Sequence, residues 1–456
     1  MPDKKIILRA DAILRPGDDP PILEAEEIYI QGGRIAAVGP QGERFAREEA
    51  DEVHDLPGAA LMAGLVNAHT HMALTFLRGV AADADLGEFF SRMTPHEHLV
   101  SREHAYWAVR LALVEMIRAG ITTVVDMFEW MDITAQAVKE SGLRAGLVSE
   151  LAGVRPEPRG ARGSGFSLPT GRLILDDQYG MERLAQAEEE IEGVLELGSS
   201  RLTPMLGPHS LYSCSPELLA EAAEAAGRLG VSLCIHLAEN QSLERQVRQR
   251  YGSTAKIMRE TGLLERHVLG VHCIYLKPEE VEQVAAHSFG MAHCPGSNLK
   301  LGERPAPVER FLEAGIPVGL GTDSVMSNDN LDILEEARLA ALIHKGNSRR
   351  AGVLPGDTAL QMATGLGAEA IGLPEIGKVR PGYMADLIVV DLAGPHWHPG
   401  HEPMMNLLYA ANSRDVRSVM VGGEWVMWDR AIRTLDEAAV VDYARRITTS
   451  RLPGKG

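Results

Sequence analysis

Cysteine is scarce in this sequence, and its spacing argues against two common kinds of small structural site. The 456 residues contain four cysteines, Cys214, Cys234, Cys273 and Cys294. No two of them form a Cys-x-x-Cys pair, so a structural zinc knuckle is not expected. So low a density is typical of reduced thiols in a cytoplasmic protein, and we expect all four to be small core side chains.

Long apolar runs and an excess of positive charge are also missing. No segment has the apolar length that spans a bilayer, and the start, MPDKKIILRADAIL, lacks the apolar core of a secretory signal. We therefore expect a cytoplasmic protein without a membrane partner. The formal net charge is −18, which repels phosphate backbones and argues against a nucleic acid polymer as partner. A small-molecule substrate fits this surface.

The pattern of the sequence changes along the chain. Residues 1–60 and 372–456 contain short strands and carry Gly-Gly turns at 32–33 and 422–423. These two ends predict one small β-sandwich domain assembled from both termini. Residues 61–371 instead alternate short apolar strands with amphipathic stretches such as SPELLAEAAEAAGRLG, which begins at a serine and ends at a glycine. This middle part predicts α/β structure.

Eight strand candidates occur in the middle part, each followed by helical sequence. They lie around 64–69, 121–126, 144–150, 202–207, 231–236, 268–272, 289–293 and 317–322. Eight such units predict a (β/α)₈ barrel of the TIM type. A doubly wound sheet is the alternative, but it would carry a glycine-rich phosphate fingerprint after its first strand. Here the first strand ends in NAHTH instead.

Histidines and carboxylates follow the predicted strands where a barrel carries its catalytic groups. In LVNAHTHMAL two histidines are one residue apart, so on a strand both project to the same face. Taken alone, so short a motif is more often two polar residues in a turn. The other strand ends favour a metal site, because they supply further groups of the same kind. In strand order the groups are His69 and His71, then His209, His236 with Glu239, His272, His293 and Asp323.

Such a set of imidazoles and carboxylates predicts metal-assisted hydrolysis. Three histidines and one carboxylate suit a borderline divalent cation such as Zn²⁺, with Fe²⁺ or Mn²⁺ as alternatives. A catalytic zinc keeps one position open for water and lowers the pKa of that water to near neutrality. The leaving group also needs a proton carrier. Glu239 lies three residues beyond His236, close to the predicted metal and free to titrate.

Five segments together, PGAALMAGLVNAHTH, HLAE, GVHC, AHCPGSNLKLG and GTDSVMSNDNLDILEEARLAAL, span most of the chain. In this order they resemble the amidohydrolase superfamily, in its nucleoside-deaminase and chlorohydrolase branch. The most similar subgroup is the 5'-methylthioadenosine/S-adenosylhomocysteine deaminases. The resemblance implies a metal-dependent hydrolase barrel with a β-sandwich. It also implies hydrolysis of the adenine 6-amino group, which gives the inosine analogue and ammonia.

The resemblance also implies roles for individual residues. Glu239 corresponds to the proton carrier and His272 to the site histidine, which orients the attacking water together with Asp323. His209 follows the fourth strand, where binuclear branches keep a bridging lysine, so one metal ion is expected. The metal ligands implied by the motifs are His69, His71, His236 and Asp323.

Substrate contacts are also implied by the subgroup. Glu97, in TPHEHLV, lies 26 residues after His71 and corresponds to a glutamate that binds the ribose hydroxyls. A solvated residue at a helix start is the simpler alternative for this position. His209, in GPHSLYSCSP, corresponds to a histidine beside the ligand. In the subgroup, arginines after the third strand bind the homocysteine carboxylate, and an ordinary surface loop is the alternative here. The candidates in this chain are Arg155, Arg159, Arg162 and Arg172.

Two other functions remain open from the sequence. A related amidohydrolase could act on another aminated ring, such as aminodeoxyfutalosine, guanine, a pterin or an s-triazine with an amine or chloride leaving group. A ribose-free substrate of this kind would not need Glu97. A non-catalytic scaffold would be missing a ligand or the proton carrier, and neither is missing here. The subgroup often forms oligomers, and we expect a homo-oligomer.

Overall fold

The computed structural model describes residues 4–97, 100–154 and 175–451, except for the side chains of residues 94, 95, 97 and 448–451. Its strands form two sheets. In chain order the strands are β1 (Lys5–Leu14), β2 (Ile22–Glu24), β3 (Glu27–Gln31), β4 (Arg34–Gly39), β5 (Glu52–Ala63), β6 (Leu65–Thr70), β7 (Ile121–Phe128), β8 (Arg144–Leu151), β9 (Leu202–Pro208), β10 (Ser232–Leu237), β11 (Val268–His272), β12 (Phe289–His293), β13 (Val318–Leu320), β14 (Leu387–Asp391), β15 (Val416–Val421), β16 (Glu424–Trp428) and β17 (Ala431–Ile432).

Sixteen α-helices lie in the described ranges. They are α1 (Leu86–Glu97), α2 (Arg102–Arg118), α3 (Met131–Ser141), α4 (Asp177–Glu196), α5 (Pro216–Leu229), α6 (Gln241–Tyr251), α7 (Thr254–Glu260), α8 (Pro278–Ala285), α9 (Pro295–Lys300), α10 (Val308–Glu313), α11 (Val325–Asn328), α12 (Ile333–Ser348), α13 (Gly356–Met362), α14 (Gly365–Ala370), α15 (Pro403–Tyr409) and α16 (Glu437–Arg451). None of these helices combines the length and the apolar character needed to cross a membrane.

The two ends of the chain meet in one mixed sheet. Its strand order is β17-β16-β15-β14-β5-β1-β3-β4, with β2 paired to β1. Strand β5 joins the two ends, because it pairs in parallel with β1 and antiparallel with β14. Glycine pairs with positive φ, at 32–33 and 422–423, form the turns after β3 and β15. The prediction of β structure built from both ends is confirmed, while domain limits at residues 60 and 372 stay a prediction.

The middle of the chain forms an eight-stranded parallel barrel. Strands β6 to β13 follow one another around the sheet, and a parallel bridge between Thr70 and Asp323 brings the last strand back to the first. All eight strands predicted from the sequence are present, so the (β/α)₈ fold class is confirmed. The residues of β6, β7 and β8 are buried throughout, as expected for strands with the barrel core on one face and helices on the other.

Local sequence explains how the helices between the strands begin and end. Ser215 accepts a hydrogen bond from the Leu218 amide, and Pro216 occupies the first position of α5. The same helix ends at Gly230, whose φ of 70° places it in the left-handed region that glycine adopts at helix ends. These residues set where α5 begins and ends, so the chain returns to the barrel as β10. The strand ends therefore remain available to form the site.

A buried ion pair connects the barrel to the mixed sheet. Arg144, the first residue of β8, donates from Nε to Asp386 Oδ2 over 2.9 Å, and both side chains are buried. The other carboxylate oxygen of Asp386 accepts the Gly422 amide over 2.7 Å. The barrel strand is therefore held to the β15–β16 turn by charge and hydrogen bonds together.

Candidate metal centre and active site

Two imidazoles leave the end of β6 side by side. The ring centres of His69 and His71 are 4.7 Å apart and nearly perpendicular. The site is tied to the last strand of the barrel, since the Asp323 amide donates to the His69 carbonyl over 2.9 Å. Thr70, between the two histidines, donates its hydroxyl to the Asp323 carbonyl. Side chains alternate along β6, so His69 and His71 point to the site, whereas Thr70 points the other way and binds the last strand of the barrel.

Hydrogen bonds fix which nitrogen two of the imidazoles present. His71 Nδ1 donates to the Met127 carbonyl over 2.6 Å, and His236 Nδ1 donates to the His209 carbonyl over 2.9 Å. Because a carbonyl only accepts, the proton is on Nδ1 in both rings. The Nε2 lone pairs of His71 and His236 are therefore left for the centre of the site, an arrangement typical of metal-binding histidines.

Asp323 completes the cluster from the end of the barrel's last strand. Its Oδ1 lies 3.5 Å from His69 Nε2 and 3.4 Å from His71 Nε2. Its Oδ2 accepts the hydroxyls of Ser297 and Ser327 over 2.5 and 3.0 Å. The φ of Asp323 is 59°, a strained value for a residue with a side chain, and such strain is concentrated at functional sites.

The titration of the cluster favours neutral imidazoles and an ionised carboxylate. Burial lowers the pKa of His71 to about 4 and also lowers the pKa of His69 and of His236. Burial alone would raise the pKa of Asp323, but its hydrogen bond with His69 and its electrostatic interaction with the neighbouring histidines hold it well below its usual value. Neutral imidazole and carboxylate are the forms that bind metal ions.

A divalent cation fits these residues on chemical grounds. The Nε2 atoms of His69 and His236 lie 3.2 Å apart, and His69 Nδ1 is buried without a hydrogen-bond partner in the described part of the chain. Ligand atoms of His69, His71 and His236 lie within 4.8 Å of one another, and so do those of His69, His272 and Asp323. Converging lone pairs beside a carboxylate suit a borderline metal ion such as zinc.

Glu239 and His272 lie next to this cluster. Glu239 follows β10, and its Oε1 is 3.7 Å from Nε2 of His272, the last residue of β11. Burial raises the pKa of the Glu239 carboxyl, so its proton is retained to a higher pH than in water. A carboxyl group with this property is suited to proton transfer near neutral pH.

The cluster forms the floor of a cleft. Polar groups on the floor include His209, which follows β9 and has its ring centre 4.8 Å from that of His236. Burial lowers the pKa of His209 to about 3, so this imidazole is neutral. The walls are apolar and are formed by Leu74, Leu86, Phe89, Phe90, Met93, Phe128 and Leu301.

The structure brings most of the predicted site residues together. The floor contains His71, His209, His236, Glu239, His272 and Asp323, with His69 directly behind. His293 packs against His344 with ring centres 5.4 Å apart and does not line the cleft, as a structural role predicts.

Apart from His209, the predicted substrate contacts are the exception. Glu97 is the last residue of α1, a helix that borders the cleft through Phe89, Phe90 and Met93, but its side chain lies outside the described part. The four arginines predicted to contact substrate also lie outside the described residues: Arg155, Arg159, Arg162 and Arg172.

Several residues of the site were not found from the sequence. Glu150 lines the cleft beside His209, from the carboxyl end of β8. The same strand-end argument that selected the histidines would have selected this carboxylate in LVSEL. Ser297 and Ser327, which hold Asp323, lie on helices beyond the strand ends and give no comparable signal.

A known protein family matches this chain over most of its length. The model of the amidohydrolase family matches residues 60–426. The chain belongs to the amidohydrolase family. It is thus a hydrolytic enzyme, and the resemblance found in the sequence is confirmed.

Relatives of this amidohydrolase match it over nearly their whole length. A 5-methylthioadenosine/S-adenosylhomocysteine deaminase of Moorella thermoacetica is 41% identical, over 91% of this chain and 93% of the relative. A 5'-deoxyadenosine deaminase of Methanosarcina mazei is 35% identical over 97% of each chain. Among solved structures, an adenosine deaminase from Xanthomonas campestris with bound zinc has a TM-score of 0.87 and 29% identity, covering 98% of this chain and 99% of that one.

Proposed function

We propose that this amidohydrolase removes the 6-amino group of adenine nucleosides by hydrolysis. The products are the inosine analogue and ammonia, and the proposed substrates are 5'-methylthioadenosine, S-adenosylhomocysteine and adenosine. The observation that carries the proposal is the placement of Glu239, a largely buried carboxyl that is not part of the His-Asp cluster, 3.7 Å from His272 on the same cleft floor. The deaminases among the relatives support the same reaction class.

The proposed cofactor is one divalent metal ion, with zinc first and iron or manganese as alternatives. His69, His71, His236 and Asp323 would hold it. When bound, such an ion lowers the pKa of a water molecule and supplies a nucleophile at neutral pH. His209 occupies the end of β9, where the binuclear branches keep a lysine, and this supports a single ion.

The chain's own residues would then manage the protons of the reaction. Glu239, whose pKa is raised by burial, delivers its proton to ring N1 of the adenine as water attacks C6. His272 and Asp323 orient that water and accept its proton. Glu239 then takes the proton of the new C6 hydroxyl and passes it to N6, so that the C6–N6 bond breaks and ammonia leaves as the C6 carbonyl forms. The proton held by His272 and Asp323 returns to Glu239 and restores the site. Each group lies on the floor of one cleft, so no large movement of the barrel is needed.

Binding of the substrate would use both kinds of surface in the cleft. The apolar wall formed by Phe89, Phe90 and Met93 suits a purine ring or an uncharged 5' substituent. We further propose that Glu97 accepts hydrogen bonds from the ribose hydroxyls and that His209 contacts the ligand. The proposed contacts to a substrate carboxylate are Arg155, Arg159, Arg162 and Arg172.

A substrate panel tests this function. Ammonia release would be measured with methylthioadenosine, S-adenosylhomocysteine and adenosine, and with aminodeoxyfutalosine, guanine, a pterin and s-triazines. We expect the adenine nucleosides to have the highest kcat/KM. Turnover of guanine or triazines alone would contradict the nucleoside assignment while leaving hydrolysis intact.

A pair of variants tests the ribose contact within the same panel. Glu97→Gln should raise KM for the nucleosides, because an amide cannot accept two hydroxyl hydrogen bonds as a carboxylate does. Glu88→Gln is the matched control, since Glu88 lies on the same helix and is exposed, with Arg92 as its partner. Equal KM values for Glu97→Gln and the control would exclude the ribose role.

The cellular setting and assembly are also proposals. A cytoplasmic location is supported by the four cysteines, all of which are buried and free of disulfides. A homo-oligomer stays a prediction from the subgroup.

A further inference from the structure

Asn298 contacts His272, the site histidine, at its Nδ1 edge. It lies in α9, the short helix that starts directly after β12, and its side chain is 2% exposed. Its Oδ1 is 2.9 Å from Nδ1 of His272. The Asn298 backbone is held as well, because its amide donates to the Cys294 carbonyl over 3.0 Å and its carbonyl accepts the Glu303 amide over 2.8 Å. The side-chain amide of Asn298 is therefore held in a fixed position next to His272.

This contact determines where His272 carries its proton. An amide oxygen only accepts hydrogen bonds, so His272 Nδ1 must be the donor. In a neutral imidazole the other nitrogen, Nε2, is then an acceptor. That Nε2 faces the cleft, 3.7 Å from Glu239 Oε1. The contact thus turns the proton-accepting edge of the ring toward the place where the reaction occurs.

The backbone around His272 gives the ring an unusual anchor. His272 has a φ of 67° and Cys273 a φ of 52°, so β11 ends in two left-handed residues in succession. Such strained values persist where the surrounding structure fixes them, and they are concentrated at functional sites. The backbone sets where the ring lies, but it does not set which nitrogen carries the proton. The hydrogen bond to Asn298 determines the position of that proton.

Ser297, the residue before Asn298, contacts Asp323, the other group that orients the water. Ser297 donates its hydroxyl to Asp323 Oδ2 over 2.5 Å. Two consecutive residues of one helix thus contact the two groups assigned to the attacking water, His272 and Asp323.

We propose that Asn298 is a positioning residue that holds His272 as the Nδ1–H tautomer, with the Nε2 lone pair directed at the reacting water. The consequence for catalysis rests on the proposed function, whereas the tautomer itself does not. A spectroscopic measurement and a kinetic one therefore separate the two.

The spectroscopic test uses the full-length protein with ¹⁵N-labelled histidine. The His272 ring signals, assigned by their absence in His272→Gln, should show protonated Nδ1 and unprotonated Nε2 in the wild type. Asn298→Ala removes the acceptor and should lose this pattern, whereas Asn298→Asp keeps an acceptor and should retain it. If Asn298→Ala does not fold, Asn298→Ser replaces it, because its hydroxyl is too short to reach the ring. A wild-type His272 with its proton on Nε2, or an unchanged tautomer in the folded Ala or Ser variant, would overturn the proposal.

The kinetic test uses the best adenine nucleoside of the panel. Asn298→Ala should lower kcat by about 10- to 100-fold, the usual effect of losing a partner that orients a site histidine. KM should change by less than about threefold, since Asn298 does not line the cleft. Asn298→Asp should recover most of kcat. Asn406→Ala is the control for loss of an amide hydrogen bond, since Asn406 bonds the Trp397 carbonyl away from the cleft.

Unchanged kcat in Asn298→Ala would overturn the positioning role. If the wild type turned over no adenine nucleoside, the proposed function would fail while the ¹⁵N pattern still decided the tautomer.

Discussion

The Nε2 atoms of His69 and His236 lie 3.2 Å apart, although the two residues are 167 positions apart in the chain. His236 has its proton on Nδ1, where it donates to the His209 carbonyl, so its Nε2 presents a lone pair. His71 presents a second lone pair to the same point, and Asp323 adds a negative charge. A cation at this point accounts for all four groups together.

Removal of one imidazole should therefore remove the metal. We expect about one metal ion per chain in the wild type, and a loss of affinity of at least about 100-fold in His236→Ala, because a ligand contributes more than its orienting partners do. Elemental analysis after dialysis measures this directly. His396→Gln is the control, since His396 is bonded to Asp415 outside the cluster. Full metal content in His236→Ala would refute the ligand assignment.

Glu239 should matter for turnover but not for metal binding. Glu239→Gln keeps the size of the side chain and cannot carry the proton, so we expect kcat to fall by about 10²- to 10⁴-fold with unchanged metal content. Steady-state kinetics and elemental analysis on the same sample check both halves. The exposed Glu217→Gln, in the first turn of α5, serves as control. A fully active Glu239→Gln would show that the proton carrier is a different group.

The Arg144–Asp386 pair should be important for stability. Arg144→Met leaves the buried Asp386 carboxylate without its counter-charge, and we expect a loss of about 3–5 kcal/mol in the free energy of unfolding. The double variant Arg144→Met/Asp386→Leu should lose less, because no unpaired charge remains. Urea unfolding of the three proteins tests this. The prediction fails if the double variant is the least stable of the set.

The buried carboxyl of Glu336 should make stability depend on pH. Burial raises the pKa of Glu336 from 4.5 to about 8, while its oxygens accept the Gly296 amide and the Asn328 side chain. The folded state thus binds this proton more tightly than the unfolded chain does. The resulting stabilisation is fully present below about pH 4.5 and is lost as the pH rises through about 8.

The difference between the wild type and Glu336→Gln isolates this effect between pH 6 and 9, because the other groups that titrate there, among them Asp126 and Glu244 with pKa values raised by burial to about 7, are common to both proteins. We expect the free energy of unfolding of the wild type, relative to that of Glu336→Gln, to fall across this range in parallel urea titrations, because the glutamine has no proton to lose. Identical slopes for the two proteins would show that Glu336 does not titrate in this range.

The strand-end residues were predictable because a parallel barrel gathers the carboxyl ends of all its strands on one face. His69, His209 and His272 needed only the positions of their strands. The hydroxyls of Ser297 and Ser327 were not predictable, since helices α9 and α11 carry them to Asp323 after turns that no periodic pattern specifies. The Arg144–Asp386 pair, 242 residues apart, depends on how the mixed sheet packs against the barrel, which local sequence does not encode.

The most direct test of the account is a metal titration of turnover. Metal-free protein would receive increasing amounts of zinc while ammonia and the inosine analogue formed from methylthioadenosine are measured together. We predict that activity rises to a plateau at about one ion per chain, as expected for a single catalytic zinc site. The two products should form in equal amounts. Equal activity without metal, or no ammonia at any metal content, would contradict the assignment of this cleft as a metal-dependent nucleoside deaminase site.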